Sequence, residues 1–175
     1  MNSTTSSPPH ATTSRRPRLG LSWPALVGLA LLAAPRVVLH DLDLIQEGTS
    51  VNALFVFVPL LIWVAVVWAA RVPKPFLTLL VVGALYGVIL AVGHQLLWET
   101  AVGARLPDAA STGMSPAALE LLVRGTGVVS SLVTGTVVGA VTGLVAWGLA
   151  ALTGRRAGAA GRGPAPRPPA PGRSR

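Results

Sequence analysis

The sequence predicts an all-α integral membrane protein, a four-helix bundle set between disordered N- and C-terminal tails. Three observations carry that prediction. Hydrophobic residues make up 51% of the 175 residues and charged ones only 11%, against ~25% charged in soluble domains. The apolar residues fall in four long runs rather than in the alternating or 3.6-residue patterns that a soluble core needs. The basic residues gather beside the ends of those runs on one side, which is the distribution that membrane topology produces.

Residues 1–18 (MNSTTSSPPHATTSRRPR) are rich in Ser, Thr and Pro and bury too little surface to offset the entropy of ordering, so they are expected to be a disordered tail. The membrane domain is expected over 19–153. Its first span, Leu19–Leu39, is interrupted by Pro35 and Arg36, and the proline is expected to bend or end the helix. The segment Ser14–Leu19 resembles a twin-arginine export signal, but Arg18 stands where an apolar residue is usual and Ala33-Ala34-Pro35 lacks a favourable cleavage site, so the span is expected to be retained.

A polar connection, His40–Ser50, holds three of the six acids and leads into the second span, about 51–70, which carries no charge. The turn Arg71–Pro75 is too short and too proline-rich for anything but an antiparallel hairpin into the third span, about 76–98. After a looser loop, Ser115-Pro116 reads as an N-cap followed by proline at the first helical position. A short helix is expected at 116–124, then the fourth span at about 125–153, with tilt or a break at Gly125 or Gly127 because the run exceeds what a bilayer core needs. Residues 154–175 form a basic, Pro-rich tail that is expected to be disordered.

Eleven of the fourteen basic residues fall on one side of this layout: Arg15, Arg16, Arg18, Arg71, Lys74 and six in the C-terminal tail. Arg36, Arg105, Arg124 and all six acids fall on the other. Lys and Arg stay in the cytoplasm, so both termini are expected inside a cell membrane. The net charge of +8 does not point to nucleic acid, because the arginines are not interleaved with aromatics on one folded face. The lipid bilayer is the expected partner.

Two constellations stand out. Gly127, Ser131, Gly135, Gly139 and Gly143 repeat every four residues in the fourth span, with a shorter pair, Gly83 and Gly87, in the third. Such stripes let helices approach closely, either within the bundle or in a homo-oligomer or with a membrane-protein partner through span four. The second is a polar cluster at the outer ends of spans one to three: Arg36, His40, Asn52, His94, Gln95 and Glu99. It reads either as a structural cap or as a ligand, proton or ion site.

Catalytic apparatus is not visible. There is no cysteine, no HExxH, no GxSxG and no phosphate-binding glycine loop. Asp41, Asp43 and Glu47 match no strict metal-binding loop. No enzyme activity, cofactor or metal is therefore expected. The leading expectation is a structural or accessory membrane protein acting through helix contacts, and the alternative is a small oligomeric transporter or channel using the outer polar cluster. An enzyme acting on lipid would rest only on His40, His94 and the outer acids.

The pieces RVVLHDL, EGTSVNALFVFVPLLIW, PFLTLL and YGVILAVGHQLLW, within residues 36–98, resemble a group of small uncharacterised bacterial multi-pass membrane proteins. The resemblance implies a bacterial inner membrane and carries no activity.

Overall fold

The computed structural model describes residues 19–101, 106 and 109–154. Among these the regular structure is helical: α1 (Trp23–Leu32), α2 (Ala34–Asp41), α3 (Ser50–Ala69), α4 (Pro75–Leu96), the single turns α5 (Trp98–Ala101) and α6 (Ala109–Thr112), and α7 (Pro116–Leu152). Four stretches are long and apolar enough to cross a bilayer: α1 with α2, then α3, α4 and α7. The expected tails at 1–18 and 155–175, and Arg105 and Asp108, lie outside the described residues.

Two boundaries differ from those read in the sequence. The first span does not end at Leu39; it breaks at Ala33 and runs on to Asp41. Pro35 occupies the first turn of α2, where its missing N–H costs nothing, so it starts a helix there instead of ending one. The fourth span is not preceded by a separate helix at 116–124. Ser115 caps it as expected, accepting from the Ala118 N–H at 3.3 Å, but α7 then continues through Gly125 and Gly127 to Leu152, about 55 Å at helical rise.

The α3–α4 connection is the expected tight turn. Arg71 sits at φ 50°, and the Arg71 and Val72 N–H groups return to the carbonyls of Trp68 and Val67 at 3.2 Å each. That double closure is a Schellman motif, and Val72 and Val67 are both buried beneath it.

Helix α4 is the hub of the bundle, touching α1, α2, α3 and α7, while α7 lies along α4 and against α3. The α4–α7 crossing is made of backbone. A Cβ added to Gly139 would stand 2.6 Å from the Leu79 carbonyl, and one on Gly143 would stand 2.9 Å from the Phe76 carbonyl. Gly83, Gly87 and Gly135 are enclosed in the same way by the facing helix, whereas Gly127 meets nothing within 4 Å. The four-residue ridge thus packs within the chain from Ser131 to Gly143, and α4 covers it.

Candidate functional site

The buried stripe of the first span is Leu26, Ala30, Ala33, Val37 and Asp41, spaced to fall on one helical face. Its last member is a carboxylate. Asp41 is 5% exposed and is held by two histidines: His94 Nδ1 of α4 lies 2.7 Å from Oδ2, and His40 Nδ1 lies 3.5 Å from Oδ1. On its other side His40 Nε2 is 3.5 Å from the Glu47 carboxylate. An ionised carboxylate only accepts, so His94 bonds it through Nδ1–H and keeps Nε2 as an acceptor. Among the described residues that Nε2 has no hydrogen-bond partner, and it is not buried.

His94 faces a cleft of about 610 Å³ between α2, α4 and α7. Arg36, His40, Asp41 and Glu47 form one wall, His94 and Gln95 the floor, and the Thr126, Ser130, Ser131 and Thr134 turns of α7 the other wall. Four of the six residues predicted from sequence therefore meet here. Asn52 does not line the cleft but accepts from Arg36 Nε at 3.1 Å, and Glu99 sits exposed on α5, apart from it.

Gln95 also belongs to a latch. Its side chain accepts from Arg124 Nη1 at 3.0 Å and donates to the Arg124 carbonyl at 3.3 Å. Arg124 further donates to Glu120 at 2.8 Å and lies 4.2 Å over the Trp98 ring. The latch pins the end of α4 to α7 at the rim of the cleft.

Below the cleft, a second cavity of about 190 Å³ continues the polar seam inward. Arg36 and Thr134 line both cavities. The lower one adds Tyr86, which lies at the middle of α4 and against Arg36. Beneath Tyr86 the bundle closes: Trp63, Leu79 and Val82 are each fully buried, and the Trp63 ring meets Tyr86 edge-on at a centroid distance of 5.9 Å.

Sequence reading weighed Asp41 only among the acids of the outer connection and left it out of the polar cluster, and it missed Tyr86 and Thr134. Asp41 was within reach, because it lies four residues beyond Val37 on the buried stripe. Tyr86 and Thr134 carried no signal separate from ordinary span composition. Two hydroxyls lining the cleft are occupied by their own helix, Ser131 donating to the Gly127 carbonyl at 2.8 Å and Thr126 to the Leu122 carbonyl at 2.8 Å. Among the described residues no three His, Asp or Glu side chains are grouped so as to hold a metal ion. No protein-family model, no curated protein and no solved structure matches this chain.

Proposed function

We propose that this protein is a small, non-enzymatic transporter of a bacterial cell membrane, with both termini in the cytoplasm, that moves protons through the cleft between α2, α4 and α7. One observation carries the reading: the Asp41 carboxylate is buried in a membrane helix and bonded at 2.7 Å to a histidine that lines a cavity. A buried carboxylate at the end of a span is costly unless paired, and ionisable groups within membrane spans mark ion and proton paths. A carboxylate–imidazole pair passes a proton without leaving an isolated charge behind.

The polar seam supports the same reading. It reaches the midpoint of α4 at Tyr86, and the Trp63, Leu79 and Val82 side chains beneath are fully buried. A central site with access from one face at a time is what alternating access requires. A role for the ridge in contacting another protein has less support, since α4 already covers Gly135, Gly139 and Gly143. An enzyme has less support still, because Ser131 and Thr126 are bonded to backbone and not to His94.

The test is acidification of liposomes holding a trapped pH dye after an external acid jump, in potassium chloride alone and with butyrate added. Wild-type vesicles should acidify faster than empty ones in at least one condition, and Asp41→Asn and His94→Ala should return the rate to the empty-vesicle value. Wild-type rates equal to empty vesicles in both conditions would remove the reading.

A further inference from the structure

The lower cavity is lined by one charged residue, and that residue is a cation. Arg36 donates Nε to the neutral Asn52 amide at 3.1 Å and lies against the Tyr86 phenol. Among the described residues no carboxylate comes within 4.0 Å of it. The acids of the site, Asp41 and Glu47, line the upper cleft but not the lower cavity. A guanidinium at membrane depth is unfavourable without a counter-charge. Here the neighbours orient it and none forms an ion pair with it.

The rest of the lower cavity is apolar apart from hydroxyls. Phe55, Val56, Leu60 and Val138 form its walls, and Tyr86 and Thr134 supply O–H groups beside Arg36. A single cation matches a single negative charge; a dianion would bring an unpaired charge into an apolar chamber. Two oxygens in a plane suit the guanidinium fork, and a short hydrocarbon body suits the walls. At about 190 Å³ the chamber holds a ligand of several non-hydrogen atoms.

We propose that Arg36 is the anchor of a binding site for a small monocarboxylate, its carboxylate on the Arg36 guanidinium and its apolar body against Phe55 and Leu60. This rests on the transport reading above and names its substrate class: the Asp41–His94 pair would supply the proton that accompanies the anion. Tyr86 and Thr134 donate to the carboxylate oxygens that Arg36 leaves free.

Equilibrium binding to the full-length protein in detergent tests this without any gradient, so it is read apart from proton flux. Butyrate is the probe, with succinate, chloride and phosphatidylglycerol as comparisons, and the readouts are intrinsic tryptophan fluorescence and ligand-dependent thermal stabilisation. Wild type should bind butyrate saturably and more tightly than succinate or chloride. Arg36→Gln should weaken butyrate about tenfold or more, and Arg36→Lys should retain part of the binding. Near-UV circular dichroism establishes that each variant is folded.

Absence of saturable butyrate binding to wild type would overturn the proposal whatever the variants do. So would equal butyrate affinity in folded Arg36→Gln, or stabilisation through Arg36 by phosphatidylglycerol with none by butyrate, which would make the cation a lipid headgroup site. Butyrate binding lost in Arg36→Gln alongside absent proton flux would leave the carboxylate site standing and remove the transport reading.

Discussion

Trp63 joins three spans with one side chain. It sits on α3, its indole N–H donates to the Leu29 carbonyl of α1 at 2.6 Å, and its ring edge meets Tyr86 of α4. In lipid no water replaces a lost partner, so the donor matters more than the ring. Replacing Trp63 by Phe keeps most of the apolar body and leaves the Leu29 carbonyl unpaired, which should destabilise the bundle by about 1–3 kcal/mol. The measurement is the midpoint of thermal loss of near-UV signal in detergent, and an unchanged midpoint would mean that the carbonyl finds another donor. The same scale shows why Asp41 escaped a reading from sequence. Its spacing from Ala33 and Val37 placed it on the buried face, but the polar, acid-rich run His40–Ser50 was read as a connection, and that assigned Asp41 to a loop; Pro35 was expected to bend or end the helix. Proline inhibits a helix only past its first turn. His94 and Arg36, by contrast, stood out as polar residues in apolar runs, and the structure brings both to the seam.

At the scale of elements, the glycine ridge was legible but its partner was not. In water a helix buries its apolar stripe and so reveals which face packs; in lipid every apolar face is tolerated, and small-residue spacing tells only that some helix comes close. The structure assigns that helix to α4. A side chain at Gly139 would drive into the Leu79 carbonyl and the Gly83 backbone, neither of which is a flexible tip. Gly139→Leu should therefore cost about 3 kcal/mol or more, the upper end of overpacking, while Gly127→Leu should be near neutral because open space surrounds it. Paired unfolding titrations of the two variants in mixed micelles check this, and similar losses in both would contradict the crossing. The continuity of α7 was missed for a related reason: Gly125 and Gly127 weaken a helix in water, whereas in a membrane the backbone has no alternative hydrogen-bond partner. Within α3, Pro59 has no N–H to offer the Phe55 carbonyl, one turn back at the wall of the lower cavity.

For the whole molecule, the four spans and their order were legible from hydropathy and proline placement, and charge asymmetry supplied an orientation. The cleft was not, since it arises where α2 and α7 stand apart over α4, a tertiary outcome that no single span encodes. The proposed orientation makes a direct prediction. The chain has no cysteine, so a single one reports its own side. Leu44→Cys, on the exposed loop between α2 and α3, should react with a membrane-impermeant maleimide on intact cells. Ala70→Cys, exposed at the α3–α4 turn, should react only after lysis. The reverse pattern would invert the topology, and reaction of both from outside would break the span count.

The seal under Tyr86 also shapes the electric field. Water entering the cleft carries the potential of its own side inward to the lower cavity, so the membrane voltage must fall across what remains below. From Tyr86 to Pro75 that is eleven residues of α4, about 16 Å of insulator where an intact bilayer offers about 30 Å. The same resting voltage thus acts over roughly half the distance, and a charge crossing the Trp63 layer would feel nearly twice the force per ångström that it meets in plain lipid.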